Sequence, residues 1–178
     1  MSELIKLTKL EAATRQLRMA IRLLFDGADP VPVHTLIGAS SIILSDIVEM
    51  KVPEKSWDRL AQQANNISAT DYFRVMREAQ NFLKHAKDDP EATFNFNSKD
   101  TESLAFWAVL NAGELGPLSM EESVLQLWYL VCHDPQIEDS SSLYKEALAL
   151  FGDLRGVPRN KRLEAGRMIL AKYLSEAS

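Results

Sequence analysis

Apolar residues recur at steps of three and four along almost the whole chain, with charged residues between them. This spacing places the apolar side chains on one face of an α-helix, whereas a half-buried strand needs strict alternation. Two capping boxes, Thr8 with Glu11 and Ser119 with Glu122, mark helix starts. The pattern predicts helices over residues 9–26, 57–64, 68–87 and 141–151, and further helices that open at Asp29-Pro30, Ser98, Ser119 and Pro158.

The predicted fold class is therefore all-α, a multi-helix bundle of seven or eight helices in a single domain over residues 1–178. The segment 88–97 is the connection at which the chain is easiest to divide. The alternative to a single domain is a subdivision into 1–88 and 98–178. Within this segment, residues 93–97 alternate between aromatic and polar types and predict one short strand. A lone strand is unstable, so it needs a partner from a loop or from a second subunit.

Composition narrows the class of protein further. The chain has 178 residues, of which 46% are hydrophobic and 25% charged, with a net charge of −5. It can bury a full core, which excludes a disordered chain, and it is too acidic for a globally basic nucleic-acid coat. Cys132 is the one cysteine, which excludes an intramolecular disulfide and a cysteine-built metal site.

We expect a cytoplasmic protein without membrane contact. The first residues lack the basic and apolar regions of a secretory signal. The longest uncharged stretch, 30–45, is too short and too polar to span a membrane by itself. No nucleotide-binding, nucleophile-elbow or zinc-protease motif is present, so no cofactor is expected.

Arg77, Asn81 and His85 recur at four-residue steps near the end of the predicted helix 68–87. On a continuous helix they lie along one face, where they can bind a phosphate or position a water molecule. The helix dipole also favours a cationic histidine at a helix C-terminus. The alternative is a solvated helix edge on which Lys84 and His85 act as C-terminal capping charges.

His34 is the second candidate, early in the most apolar helix, with Ser41 and Ser45 roughly on the same face. One interpretation is a buried histidine that bonds to a carbonyl group or a neighbouring helix. The other is a metal site. If the second and fourth helices pack antiparallel, His34 approaches His85, and an acid completes the ligand set; the available acids are Glu11, Asp88 and Asp89.

His133 follows Cys132 at the end of the helix that opens at Ser119, and we expect it to cap that helix. Adjacent helical positions point about 100° apart, so these two side chains cannot form a nucleophile–base pair. The C-terminal segment is basic: it carries Arg155, Arg159, Lys161, Arg162, Arg167 and Lys172. We expect these cations to pair with acidic side chains of the same protein; contact with RNA or an acidic partner is the alternative.

Three segments resemble a group of bacterial all-helical proteins: KLEAATRQL at 9–17, VHTL at 33–36 and NFLKHA at 81–86. Their arrangement is similar to HEPN domains, over about the first half of the chain. HEPN domains are all-helical modules, commonly dimeric, of toxin–antitoxin, abortive-infection and RNA-processing systems. Active members cut RNA without a metal, using an arginine and a histidine near a helix end. The resemblance implies His85 as the general acid/base and Arg77 or Lys84 as the phosphate contact.

Three functional hypotheses follow. The first is a HEPN-like helical module, acting as a homodimer in stress or phage defence and contacting RNA or a protein partner. The dimer is expected because several helices are more apolar than one thin bundle layer needs. The second is a metal-independent ribonuclease that uses His85 with Arg77 and Asn81. The third is a histidine/carboxylate metal-binding protein that uses His34 and His85.

Overall fold

The structure, a computed structural model, describes residues 4–87, 89–133 and 141–177. These ranges contain nine α-helices, a 3-10 helix at Pro53–Lys55 and no strand, which confirms the all-α bundle. The predicted helix stop at Asp134 and Pro135 lies outside the described residues, as does Asp88. The α-helices are α1 (Lys9–Phe25), α2 (Pro30–Lys51), α3 (Trp57–Ala64), α4 (Ala69–Met76), α5 (Glu78–Lys84), α6 (Ser98–Leu115), α7 (Met120–Cys132), α8 (Ser142–Phe151) and α9 (Arg159–Glu176).

Local signals set most of the helix ends. Both predicted capping boxes are present, with the side chains of Thr8 and Ser119 accepting from the amides of Glu11 and Glu122. Gly27 follows α1 with a φ of 70°, a left-handed conformation that favours glycine. The N-cap of α6 is Asn97, one residue before the expected cap Ser98, and its side chain accepts from the Lys99 amide.

The core lies around α2, which packs between α1 and α6. The Ser40 hydroxyl donates to the carbonyl oxygen of Ala13 at 2.8 Å, so the small residues of α2 permit a close approach to α1. Helix α7 contributes Trp128 to the core. This residue is fully buried and packs edge-on against Phe25 of α1, with 5.4 Å between the ring centroids. One buried apolar cluster therefore draws on helices from both halves of the chain.

By length and apolar composition alone, α2 is able to cross a membrane. Helix α2 extends beyond the uncharged stretch 30–45 as far as Lys51, and this extension includes Asp46 and Glu49. The expectation that this stretch is too short and too polar to span a membrane therefore does not hold for the complete helix. A central core helix meets the same two criteria, and α2 occupies that position in the bundle.

The predicted helix 68–87 is wrong as a single element, because Arg77 separates α4 from α5. Arg77 has φ −106° and ψ 3°, although its amide still donates to the Phe73 carbonyl at 3.0 Å. The bend lets Gln80 pack on Gly38 of α2, where a Cβ atom would overlap the Gln80 amide group. No proline or glycine signals this break; contacts with α2 accompany it.

The predicted strand at 93–97 is also wrong. Residues 89–97, here called the strap, contain no strand. The alternating aromatic residues have different partners instead: Phe94 stacks on Phe82 of α5 at 5.3 Å, and Phe96 meets the edge of His34 at 5.2 Å. The alternation therefore reflects contacts of the strap with the bundle, without a paired strand.

Candidate functional site

A pocket of about 270 Å³ lies where α2, the two short helices α4 and α5, α6 and the strap meet. Its polar lining comes from His34, Glu78, Asp100 and Ser103. Its apolar lining comes from Val75, Met76, Ala79, Phe94, Leu104 and Trp107. An apolar pocket with a few convergent polar groups is the usual form of a small-molecule site. We call it the His34 pocket.

His34 is 2% exposed, and only one of its ring nitrogens is satisfied. Nδ1 lies 3.2 Å from the hydroxyl of Thr101, a fully buried residue of α6. Nε2 is buried and has no hydrogen-bond partner among the described residues. The two ring nitrogens diverge, so Nε2 points away from Thr101. The prediction of a buried histidine bonded to a neighbouring helix is therefore confirmed through Nδ1, while Nε2 has no partner among the described residues.

The His34 imidazole is favoured in its neutral form. Burial lowers the pKa of His34, and the nearby Asp100 carboxylate opposes that change only in part. A neutral imidazole has one N–H donor and one lone-pair acceptor. The free nitrogen can therefore donate to or accept from a ligand, depending on which nitrogen holds the proton.

The helices α4 and α5, together called the lid, cover one side of the His34 pocket. Helices of eight and seven residues are too short to be stable alone, so tertiary contacts must hold them. The Tyr72 hydroxyl donates to the buried Asp58 carboxylate at 2.8 Å, and the Asn111 amide donates to its other oxygen at 3.0 Å. The Tyr72–Asp58 bond therefore ties the lid to α3, and the Asn111–Asp58 bond ties α3 to α6.

Arg77 lines a different and much smaller cavity, of about 20 Å³, with Ser45, Asp58 and Gln80. Its guanidinium lies 4.3 Å from the centroid of the Phe73 ring and 3.9 Å from the Asp46 carboxylate. A space of this size holds about one water molecule. Ser41 and Ser45 line this cavity too, so they do not share the His34 pocket as their spacing suggested.

His85 follows the last residue of α5 in an extended conformation, and its side chain is exposed. It lines an open surface cleft together with Asn81, Arg74 and Asp89. Of the predicted face of Arg77, Asn81 and His85, the structure brings Asn81 and His85 together at this cleft, whereas Arg77, between α4 and α5, lines the other cavity.

Arg74 is the arginine that the structure places in the cleft of His85, and sequence spacing did not single it out. Its side chain is largely exposed and pairs with Asp71 of the same helix at 3.5 Å. The missed signal is local. Residues 74, 81 and 85 are spaced i, i+7 and i+11, which helical geometry places within about 40° of one another on one face.

The two histidines proposed as metal ligands line separate spaces, His34 in its pocket and His85 in the surface cleft. Glu11 is engaged in the capping box of α1, where it accepts from the Thr8 amide at 2.7 Å. Within residues 4–87, 89–133 and 141–177 no group of three or more His, Cys, Asp or Glu side chains is placed to hold a metal ion. These ranges therefore supply no third ligand for a metal ion held by His34 and His85.

A second group of polar residues outside the His34 pocket is a buried ionic cluster around the fully buried Glu102 of α6. Arg159 donates to Glu102 at 2.6 Å, and Arg162 and His133 approach it at 3.8 and 3.5 Å. These partners lie 57, 60 and 31 residues away in sequence, so no local pattern could have revealed the cluster. Burial alone raises the pKa of Glu102, but hydrogen bonds and the two guanidinium groups hold it below its ordinary value.

The C-terminal cations and the Cys132–His133 pair behave largely as the sequence suggested. Arg159 and Arg162 pair with Glu102 of the same protein, and Lys161 pairs with Glu164 at 2.8 Å. Burial raises the pKa of the Cys132 thiol to about 12, which leaves it unreactive at neutral pH. His133 is the C-cap of α7, where its ring stacks on Tyr129 at 4.1 Å.

Comparison of the chain with family models, with curated protein sequences and with solved structures finds no match. The resemblance to HEPN domains stays a prediction.

Proposed function

We propose that this protein is a helical ligand-binding module whose ligand occupies the His34 pocket. One observation carries the proposal: His34, whose buried Nε2 has no partner among the described residues, is one of the residues that line a space large enough for a small molecule. Native proteins pair nearly all of their buried polar atoms. An unpaired one beside a cavity is therefore a natural contact point for a bound group.

An apolar residue in the place of His34 would not carry an unpaired polar atom. A buried polar group without a partner costs about 1–3 kcal/mol, which phenylalanine at this position would avoid. A ligand that bonds to Nε2 would offset that cost. His34 also approaches Phe96 of the strap, so a ligand in the pocket would contact parts of the bundle, the lid and the strap together.

The test is a ligand-observed NMR screen of water-soluble fragments against the wild-type protein and three variants. His34→Phe keeps an aromatic ring beside Phe96 and removes the free nitrogen, and Ala79→Leu narrows the pocket without touching His34. His85→Ala is the matched control, because it removes an exposed histidine outside the pocket. We expect fragments that bind the wild type and the control to lose binding to both pocket variants.

Each variant is first checked for a folded state by circular dichroism and thermal unfolding. Two results contradict the proposal: no fragment binds the folded wild-type protein, or the fragments that bind do so equally well to His34→Phe and Ala79→Leu. A loss confined to His85→Ala would move the site to the surface cleft.

A HEPN-like ribonuclease is the second candidate, because Arg74, Asn81 and His85 line one open cleft. In this proposal His85 is the general acid/base and Arg74, in place of Arg77, contacts the phosphate. The test is cleavage of single-stranded RNA in the presence of EDTA. We expect His85→Ala and Arg74→Ala to abolish cleavage and Arg77→Ala to leave most of it. Cleavage that survives His85→Ala would exclude this assignment.

A further inference from the structure

We infer that the ligand of the His34 pocket is a small organic cation, an amine with an apolar body. Its ammonium group lies between the carboxylates of Asp100 and Glu78, and its apolar body packs on Trp107. The inference rests on the proposed function and names the chemical class of its ligand. Three independent features of the pocket support it: charge, aromatic lining and hydrogen-bonding capacity.

The first feature is charge. The residues that line the pocket include two carboxylates, Glu78 in the first turn of α5 and Asp100 in the first turn of α6, and no lysine or arginine. Neither acid has an ion-pair partner among the residues that the structure describes. One oxygen of Asp100 accepts from the Asn97 side-chain amide at 3.2 Å, which helps to orient it and leaves its other oxygen available. Such a lining repels anions and attracts cations.

The second feature is the aromatic lining. Trp107 is half-buried, with its ring centroid 6.5 Å from that of Trp57, and Phe94 is stacked on Phe82. These contacts hold both rings in place before a ligand arrives, which reduces the entropy lost on binding. The indole of Trp107 is a large flat apolar surface on which the apolar body of the ligand can pack. A volume of about 270 Å³ suits a small ligand.

The third feature is His34 itself. With the proton on Nδ1, which lies beside the Thr101 hydroxyl, Nε2 is a lone-pair acceptor in a buried position. Ammonium N–H groups are donors only, so they match a pocket whose lining includes a lone-pair acceptor and two carboxylates. A carboxylate ligand would meet repulsion from Asp100 and Glu78 as well. All three features therefore select the same class of ligand.

The experiment compares three probes of nearly equal size: phenethylamine, 2-phenylethanol and 3-phenylpropionate. Binding is followed by the indole Nε1–H cross-peak of Trp107 in ¹H–¹⁵N NMR spectra, assigned with Trp107→Phe. We expect the amine to bind about tenfold more tightly than the alcohol, and the acid not to bind. The advantage of the amine should shrink as salt is added, because the carboxylates are exposed.

The double variant Asp100→Asn/Glu78→Gln removes the charges and keeps the side-chain sizes. We expect it to lower amine affinity about tenfold and to leave the alcohol unchanged. Glu91→Gln is the matched control, since it removes an exposed strap carboxylate outside the pocket lining. Its amine affinity should equal that of the wild type.

The outcomes separate this inference from the proposed function. Equal affinities for the amine and the alcohol, or amine binding that is insensitive to the double variant, overturn the inference and leave a ligand site in place. Failure of all three probes, while other fragments bind through His34, overturns it as well. If no fragment of any charge binds the pocket, the proposed function fails and the inference with it.

Discussion

Replacement of Glu102 by glutamine is the most informative single perturbation of the fold. The carboxylate is fully buried and accepts from Arg159 at 2.6 Å, while Arg162 lies 3.8 Å away with only 10% of its side chain exposed. The variant keeps the size of the side chain and removes its charge. Arg162 is then left buried without an anionic partner.

The expected loss of stability is about 3 kcal/mol at pH 7. Breaking a buried ion pair by removing one partner costs about 3–5 kcal/mol. We take the lower end because a third of the Arg159 side chain is exposed and can be hydrated in the variant. With a urea m-value of about 2 kcal/mol/M, the midpoint of unfolding should fall by about 1.5 M.

The effect should depend on pH with a definite sign. The pKa of Glu102 is lower in the folded protein than its ordinary value of 4.5, so its stabilising contribution is present above pH 4.5. It is lost as the pH falls through the folded-state pKa. The difference in unfolding free energy between wild type and Glu102→Gln should therefore be full at pH 7 and shrink in the acid range below pH 4.5.

Urea unfolding followed by circular dichroism at pH 7 and at pH 4 and below measures both effects. Glu164→Gln serves as the control, because it removes an exposed carboxylate that pairs with Lys161, and its midpoint should not move. A midpoint shift under 0.5 M for Glu102→Gln at pH 7, or a shift that grows as the pH falls, would refute this account of the cluster.

Four further predictions concern packing, anchoring, reactivity and assembly. Gly166→Ala should lower stability by about 1 kcal/mol and Tm by about 3 °C in calorimetry, because the new methyl overlaps the Phe25 ring and outweighs the better helix propensity. Tyr72→Phe should cost about 1–2 kcal/mol in urea unfolding by leaving the buried Asp58 with one partner fewer, and should raise amide exchange in the lid. Cys132 should resist iodoacetamide at pH 8 in the folded protein and react once urea unfolds it, as read by mass spectrometry. Light scattering after size exclusion should report twice the 20.0 kDa chain mass if the predicted homodimer forms.

Each of these has a result that would contradict it. A more stable Gly166→Ala protein would mean that the Phe25 ring relaxes freely. Unchanged lid exchange in Tyr72→Phe would show that the lid is held by other contacts, and rapid alkylation of folded Cys132 would place its thiol at the surface. A mass near 20.0 kDa at all concentrations would exclude the dimer.

The helices and their ends were largely predictable, because the signals for them lie within a few residues of one another. The capping boxes at Thr8 and Ser119 are confirmed, and α3 matches its predicted bounds. The break at Arg77 was not predictable, since it is associated with the packing of Gln80 on Gly38 of a different helix. The strand at 93–97 failed for the same reason: its alternating pattern reflects contacts with two separate helices.

The candidate site was predictable only in part. His34 stood out as a histidine in an apolar helix, and the structure places it against a pocket with one free nitrogen. Asp100, Glu78 and Trp107 carried no such signal, because each reads as an ordinary position of an amphipathic helix. The predicted face of Arg77, Asn81 and His85 assumed one continuous helix, and in the structure Arg77 lines a different cavity from the other two residues.

The sequence by itself determined the all-α class, the order of the helices and most of their ends, because helical period and capping are local properties of the chain. Only the tertiary structure decided which side chains meet. Glu102 accepts a hydrogen bond from Arg159, which lies 57 residues away in sequence. His34 of α2 lines the same pocket as Trp107 of α6. Such meetings depend on how helix faces pack against one another, and the information for that packing is spread over the whole core.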